Sequence, residues 1–352
     1  MKSYANLTKA PSILSAAHFL LGEEGPRGAP LIGMPLSITL LARGLLTSVS
    51  LVAILSLSLS CVTISGALAA GTTGADFLTM GSGARIEAMA GSGTALAVGQ
   101  DATYWNPASL GRSGGSSLCF SHAAWFADIS YEHIAYVCPL KPAVTMALSS
   151  SILHTQGIPR TSEDLYGLYK GADGSFAYTA MVVSASLGKY VGEGFYVGGS
   201  AKVLYEDNEA EASTGMAFDM AGIYVSPDGR WSLGVASRNI GRGLEVHDIT
   251  QPLPSTLSLG FATAVFDSTL IASIDACAPA DAGTRFSWGI EERMRRMLFL
   301  RAGYTSSTEP TAHRGLTVGV GISVRGISLD YSASDFGSLG LIHRFTLSVV
   351  AH

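Results

Sequence analysis

Hydrophobic and polar positions alternate with a period of two in one segment of this chain after another. In LTVGVGISVR, Leu316, Val318, Val320, Ile322 and Val324 share one face, and Thr317, Gly319, Gly321, Ser323 and Arg325 share the other. In TLSLGFATAV, Leu257, Leu259 and Phe261 oppose Ser258, Gly260 and Ala262. RWSLGVASR sets Trp231, Leu233 and Val235 against Ser232, Gly234, Ala236 and Arg238. RFSWGIE sets Phe286, Trp288 and Ile290 against Arg285, Ser287, Gly289 and Glu291. Side chains of a strand point to opposite faces in turn, so this period predicts strands with one apolar face.

About fourteen such strands fit between Ser116 and Ala351, and the connections between them alternate in length. The stretch from His154 to Asp173 reads as long and YVGEG as short; EDNEAEAST is long and SPDGR short; IGRGLEVHDITQPLP is long and FDS short. This is the rhythm of an antiparallel meander. Outer-membrane barrels show it, with short periplasmic turns and longer outer loops. An even strand number places both ends of the meander on the periplasmic side.

Composition turns the meander into a membrane barrel. Hydrophobic residues make up 47% of the 352 and charged residues 14%, against roughly 25% charged in a soluble domain. Beyond Gly71 no apolar run approaches the ~18 residues of a membrane helix. Every backbone amide must find a partner in lipid, which leaves a closed barrel as the spanning structure. A secreted β-sandwich has similar strand spacing, but its outer faces should carry more charge than these. Tyr190, Tyr196, Tyr205, Trp231, Tyr304 and Tyr331 fall near expected strand ends, where interfacial aromatic girdles sit. Outer-membrane lipid is therefore the first expected partner.

The N-terminal region has a different pattern. Arg43 precedes the apolar stretch GLLTSVSLVAILSLSLSCVTISGALAAG, which ends in small residues with Ala67-Leu68-Ala69 as an A-x-A site. This reads as a secretory signal peptide spanning 34–69 and cut after Ala69. A membrane-spanning helix is the alternative, and no basic stop-transfer flank follows it. Met34 is a natural start, which makes 1–33 an N-terminal extension. Cys61 follows Ser58-Leu59-Ser60, without the leucine three residues back that lipidation expects.

Nothing in the chain points to catalysis. The net charge of -5 gives no sign of nucleic acid. Cys61, Cys119, Cys138 and Cys277 form no C-x-x-C pair, so neither a metal nor another cofactor is expected. Cys119 and Cys138 could pair, although separate thiols are favoured. GSGAR (81–85) lacks the lysine of a phosphate loop. EERMRR (291–296) falls at an expected turn and reads as solvated. His343 and Arg344 open the last strand, and an inward Arg344 could meet a carboxylate of the lumen or of a plug.

The lumen raises its own question. Inward positions are mostly Gly, Ser, Ala and Thr, with isolated Arg238, Arg285 and Arg325. Barrel diameter grows with strand number, so such small side chains cannot fill about fourteen strands. A water channel would carry charged rings. A plug drawn from the chain's own N-terminus, residues 70–112, is the economical filling, which leaves 113–352 as the barrel. Within that plug, DATYWNPASLGR combines two aromatics with a stop. Pro107 bars Asn106 from helical geometry. The expectation is that Asp101–Tyr104 ends a short helix, Trp105 packs the plug against the wall, and Asn106-Pro107-Ala108 turns the chain out towards the first strand.

The segment from Gly74 to Leu110 resembles the N-terminal signature of the PorV/PorQ family of FadL-like outer-membrane barrels. The residues that carry the resemblance are Gly74-Ala75, Phe77-Leu78, Gly81, Gly83-Ala84-Arg85, Met89, Ala95, Asp101-Ala102, Trp105-Asn106-Pro107-Ala108 and Leu110. The end of the chain resembles the family's last hairpin through Asp330-Tyr331, Phe336-Gly337, Leu339-Gly340 and His343-Arg344. The resemblance implies a fourteen-stranded barrel with a small helical hatch in its lumen. It also implies an adaptor role in type IX protein secretion or surface attachment, with secreted cargo or attachment-complex proteins as partners. The FadL-type relatives offer the alternative, passage of hydrophobic small molecules. The C-terminal SVVAH departs from the aromatic ending that barrel-assembly signals use.

Overall fold

The computed structural model describes residues 71–246, 249–265, 269–294, 297–307 and 315–351. The expected extension (1–33) and signal peptide (34–69) lie outside the described residues. The strands are β1 (Ser116–Ala124), β2 (Ser130–Lys141), β3 (Val144–Glu163), β4 (Tyr169–Gly192), β5 (Phe195–Asp207), β6 (Ala212–Val225), β7 (Trp231–Ile240), β8 (Leu244–Val246), β9 (Ile249–Gln251), β10 (Thr256–Val265), β11 (Leu270–Pro279), β12 (Arg285–Met294), β13 (Leu298–Ser307), β14 (Gly315–Val324), β15 (Ile327–Asp335) and β16 (Leu341–Ala351).

Fourteen of these close into one antiparallel barrel, each strand beside its neighbour in sequence, with β7 pairing to β10 and β1 to β16. Closure removes both sheet edges, which is what a spanning sheet requires. β8 and β9 form a separate hairpin within the β7–β10 connection. Ser116 pairs with Ala351, so both ends of the barrel's chain lie at one rim, here called the terminal end. The opposite rim, the loop end, carries the β1–β2 and β15–β16 connections. Among the described residues no helix is long and apolar enough to cross a membrane.

The alternation sorts the faces as the sequence leads one to expect. Leu257, Leu259, Leu316, Val318, Ile322, Leu347 and many like them are exposed on the outer wall, while Ser258, Thr317 and Ser348 between them are buried inside. Phe195, Tyr224, Trp231 and Phe261 make a chain of outer ring contacts at the terminal end, with centroids 4.7, 5.3 and 6.4 Å apart in turn. The expected girdle is wrong at three positions: Tyr331 stands at the middle of β15 (Ile327–Asp335), and Tyr190 and Tyr196 are out of the outward series. Tyr196 is buried, and it packs with Tyr190, 4.9 Å away, in a cluster with Ala108 and Ile223. Each sits one residue out of register with the outward series.

The reading of His154–Asp173 as a long loop is also corrected. β3 and β4 continue as a paired hairpin until only 164–168 remain unpaired. Left-handed Gly157 (φ 72°) and Pro159 shift the register of that ladder, with breaks between Thr155 and Ile158 and between Pro159 and Thr161. These breaks scramble the period of two, and both faces of the extension are exposed, so no hydrophobic pattern marks it. Cys119, Cys138 and Cys277 are free thiols.

Candidate functional site

Residues 76–112 form a run of short helical turns at Asp76–Thr79, Ala84–Glu87, Gly99–Asp101, Ala102–Trp105 and Pro107–Arg112. They pack inside the barrel as a hatch. Small wall residues make this possible. A Cβ built on Gly188 would stand 2.6 Å from Pro107 O, and one on Gly303 2.5 Å from Ala90 N. Gly198, Gly234 and Gly319 likewise face Ala108, Thr94 and Ala88 with no room for a side chain. Glycine here serves close approach of backbone to backbone.

The wall's hydroxyls then satisfy the hatch's free backbone groups. Thr317 Oγ1 donates to Ala88 O at 2.9 Å and Ser232 Oγ to Ala95 O at 2.9 Å. Thr346 Oγ1 accepts from Ala84 N at 2.9 Å, and Asp275 Oδ2 accepts from Thr94 N at 2.8 Å. The Gly/Ser/Thr composition of the inner face is thus a docking surface for a short-turn, loop-rich plug.

The DATYWNPASLGR stretch has a role different in detail from the expected one. Trp105 is enclosed by the hatch itself, against Ile86 and over Gly91 and Gly93. Its indole N–H donates to Ser82 O at 2.9 Å. The wall reaches it through Arg238, whose guanidinium lies 4.9 Å from the Tyr104 ring centre and 5.6 Å from that of Trp105. Asn106 is fully buried and extended (φ -163°). Its Oδ1 caps Ala108 N at 3.0 Å, with Pro107 at the first helical position. Its Nδ2 donates to Thr94 O at 2.7 Å and to Gly222 O of β6 at 3.3 Å. Asn-Pro-Ala therefore starts a further helical turn along β4 and β5 and does not leave the lumen at that point. Asn106→Ala strands these buried groups, at a cost of about 1–3 kcal/mol. Faster protease cleavage of the hatch in detergent-folded protein is the expected result; wild-type cleavage would contradict it.

Ionic contacts latch the hatch to the wall near the terminal end. Arg85 makes a two-pronged contact with Glu291 of β12, Nε to Oε2 at 2.8 Å and Nη2 to Oε1 at 2.9 Å. Arg301 of β13 donates to the same Glu291 at 2.6 Å and to Asp330 of β15 at 2.6 Å. Arg301 and Asp330 are two strands apart. They meet over Gly321 of β14, where a Cβ would collide with both. Glu291 is thus a buried centre of the latch, which corrects its reading as part of a solvated turn. The sequence signal was its place on the inward face of RFSWGIE. Arg325 is corrected in the opposite sense, since it is exposed in the β14–β15 turn. A second inward pair, Lys202 and Asp219 at 2.8 Å, was not picked out from sequence.

Asp101 is buried beside left-handed Gly83 (φ 82°), whose missing Cβ makes the space for its carboxylate. Burial pushes the Asp101 carboxyl up to about 7; Arg85 and Arg301 oppose the shift, and Asp330 and Glu291 add to it. A carboxyl with a raised folded-state pKa binds its proton more tightly folded than unfolded. Its contribution therefore favours the docked hatch below pH ~4 and is lost as pH rises through about 7. Protease resistance of the hatch should fall between pH 4 and 8, and Asp101→Asn should flatten that fall. A profile unchanged by the substitution would refute the assignment.

The last-hairpin residues divide between two faces. Asp330 and Arg344 point inward, with Arg344 Nη1 donating to Gly81 O of the hatch at 2.6 Å and lying 5.4 Å from the Tyr131 ring centre. Tyr331 and His343 point outward and share a 2.8 Å hydrogen bond. Phe336 and left-handed Gly337 (φ 62°) belong to the β15–β16 connection, where Phe336 packs 5.2 Å from Trp125. Between the hatch and this loop end lies a cavity of about 270 Å3, walled by Met80, Tyr104, Trp105, Trp125, Phe336 and Ile342 and by the charged Glu87, Arg238, Asp275, Arg285 and Arg344. No group of three or more His, Cys, Asp or Glu suited to a metal occurs among the described residues.

Solved barrels share this architecture. The fold is that of FadL-type channels. The CymD monoaromatic hydrocarbon channel superposes with a TM-score of 0.58 at 13% identity, covering 77% of this chain and 98% of its own. The Ralstonia pickettii toluene transporter TbuX gives 0.56 at 17% identity, with 77% and 99% covered. A Pseudomonas aeruginosa FadL homologue gives 0.55 at 12% identity, with 77% and 98% covered. No family model and no curated protein matches the sequence. The narrower resemblance to PorV/PorQ proteins thus finds no support in these comparisons, and neither does a part in type IX secretion.

Proposed function

We propose that this protein passes small hydrophobic molecules across the outer membrane by way of its lumen. The observation that carries the reading is the aromatic-walled cavity, placed between the loop end and a hatch that fills the barrel's middle. The exposed aliphatic band and the outer rings at the terminal end suit a lipid-embedded barrel. A hatch docked this closely opposes free diffusion of water-soluble compounds, and a partly apolar pocket favours ring-bearing ones. The solved neighbours include channels and transporters for toluene and other monoaromatic hydrocarbons, which agrees with this reading. The secretion-adaptor reading rests on the sequence resemblance alone. The deciding measurement is toluene entry into liposomes that contain the folded protein. Entry well above that of protein-free liposomes, with no matching rise for a small sugar, is expected. Equal rates with and without protein would overturn the proposal.

A further inference from the structure

The cavity at the loop end is not simply greasy. Arg238 is 7% exposed, and its Nε and Nη1 have no hydrogen-bond partner. Its flat face is taken up by the Tyr104 and Trp105 rings, and Nη2 has a long 3.4 Å bond to Ser258. Nε and Nη1 are buried at the cavity wall, and no protein group among the described residues takes up their hydrogens. Arg285, on the same cavity wall, makes its side-chain contact with Cys277 Sγ at 3.6 Å, a weak acceptor. Trp125, at the cavity's outer side, has a buried indole N–H that is also without a partner. Asp275 Oδ1, on the same wall, is likewise unpaired, so donors outnumber open acceptors here, and they stand beside aromatic rings. An unsatisfied buried donor costs about 1–3 kcal/mol, a cost that a bound acceptor would remove.

We propose that this cavity is a binding site for a compact aromatic carboxylate, with Arg238 and Arg285 holding the carboxylate and Tyr104, Trp105 and Trp125 enclosing the ring. An arginine edge suits a carboxylate because two parallel N–H donors match its two oxygens. The aromatic walls suit a single ring through offset or edge contacts. Asp275 and Glu87 also face the cavity; they set against the arginines a negative charge that disfavours ligands carrying more than one anionic group. The inference rests on the lumen reading above in one respect: the ligand must be able to enter from the loop end.

Benzoate is the probe, with toluene as its uncharged counterpart of similar shape. Binding to detergent-folded protein is followed at pH 8 by tryptophan fluorescence and confirmed calorimetrically. Saturable benzoate binding is expected, weakened tenfold or more in Arg238→Met and in Arg285→Gln, with toluene affinity changed less than threefold. Arg285 is partly exposed, so its variant keeps the test open if Arg238→Met fails to fold. Arg238→Lys should recover part of the benzoate affinity. If benzoate fails to bind, or binds the arginine variants as well as wild type, the inference falls. Toluene entry into liposomes would persist in that case, so failure here is distinguishable from failure of the transport reading.

Discussion

Glu291→Ala is expected to release the hatch from the wall. Among the described residues, Glu291 is the carboxylate that Arg85 of the hatch and Arg301 of β13 both contact. Glu291 and Arg301 are almost fully buried, with side-chain exposures of 4% and 3%. Removing the shared acid leaves two guanidinium groups close together in a largely buried site. Breaking a buried pair from one side typically costs about 3–5 kcal/mol, far more than an exposed ion pair contributes. The barrel ladder does not depend on this side chain, so the loss should fall on the hatch. Limited proteolysis should then cut within 71–112 while β1–β16 stay protected, and small-solute leakage into liposomes should rise. Glu291→Gln should lie between, since it can still accept one hydrogen bond. A hatch as protected as in wild type would show that the latch contributes little.

Larger still should be the effect of adding side chains to the glycine wall. Valine suits a strand better than glycine does, so Gly198→Val and Gly303→Val should leave the barrel intact or slightly firmer. Yet a Cβ at Gly198 would stand 2.4 Å from Ala108 N and one at Gly303 2.5 Å from Ala90 N, both backbone atoms of the hatch. These positions lie on β5 and β13, far apart around the ring. The double variant should displace the hatch as a unit. Planar-bilayer recordings should change from small, infrequent currents to a stable open conductance, and sugar entry into liposomes should rise at least tenfold. Unchanged conductance in a folded double variant would mean that the hatch does not close the lumen.

Much of this arrangement was legible in the chain. Leu316 through Val324 mark their outward face by alternation alone, because the lipid-facing side of a strand is a local property with a fixed period. The same local logic gave the strand region from Ser116 to Ala351 and the need for a plug, since inward Gly, Ser and Thr cannot fill a wide barrel. The Asn106-Pro107 stop was visible as well, because proline acts on its neighbour through covalent geometry.

What the chain alone could not decide is which inward groups meet. Glu291 and Arg301 are opposite each other only because β12 and β13 pair in one register. Arg301 reaches Asp330 only because Gly321 intervenes on β14. Arg85 joins them from about two hundred residues away, by the seating of a hatch whose short turns have no long periodicity to betray their direction. Arg238 looked like one isolated lumen charge among three; in the fold its face lies against Tyr104 and Trp105, and its Nε and Nη1 are buried without a partner at the cavity wall. Periodicity encodes the barrel because lipid is the same on every side. The latch and the cavity depend on register and docking, which exist only once the chain has closed on itself.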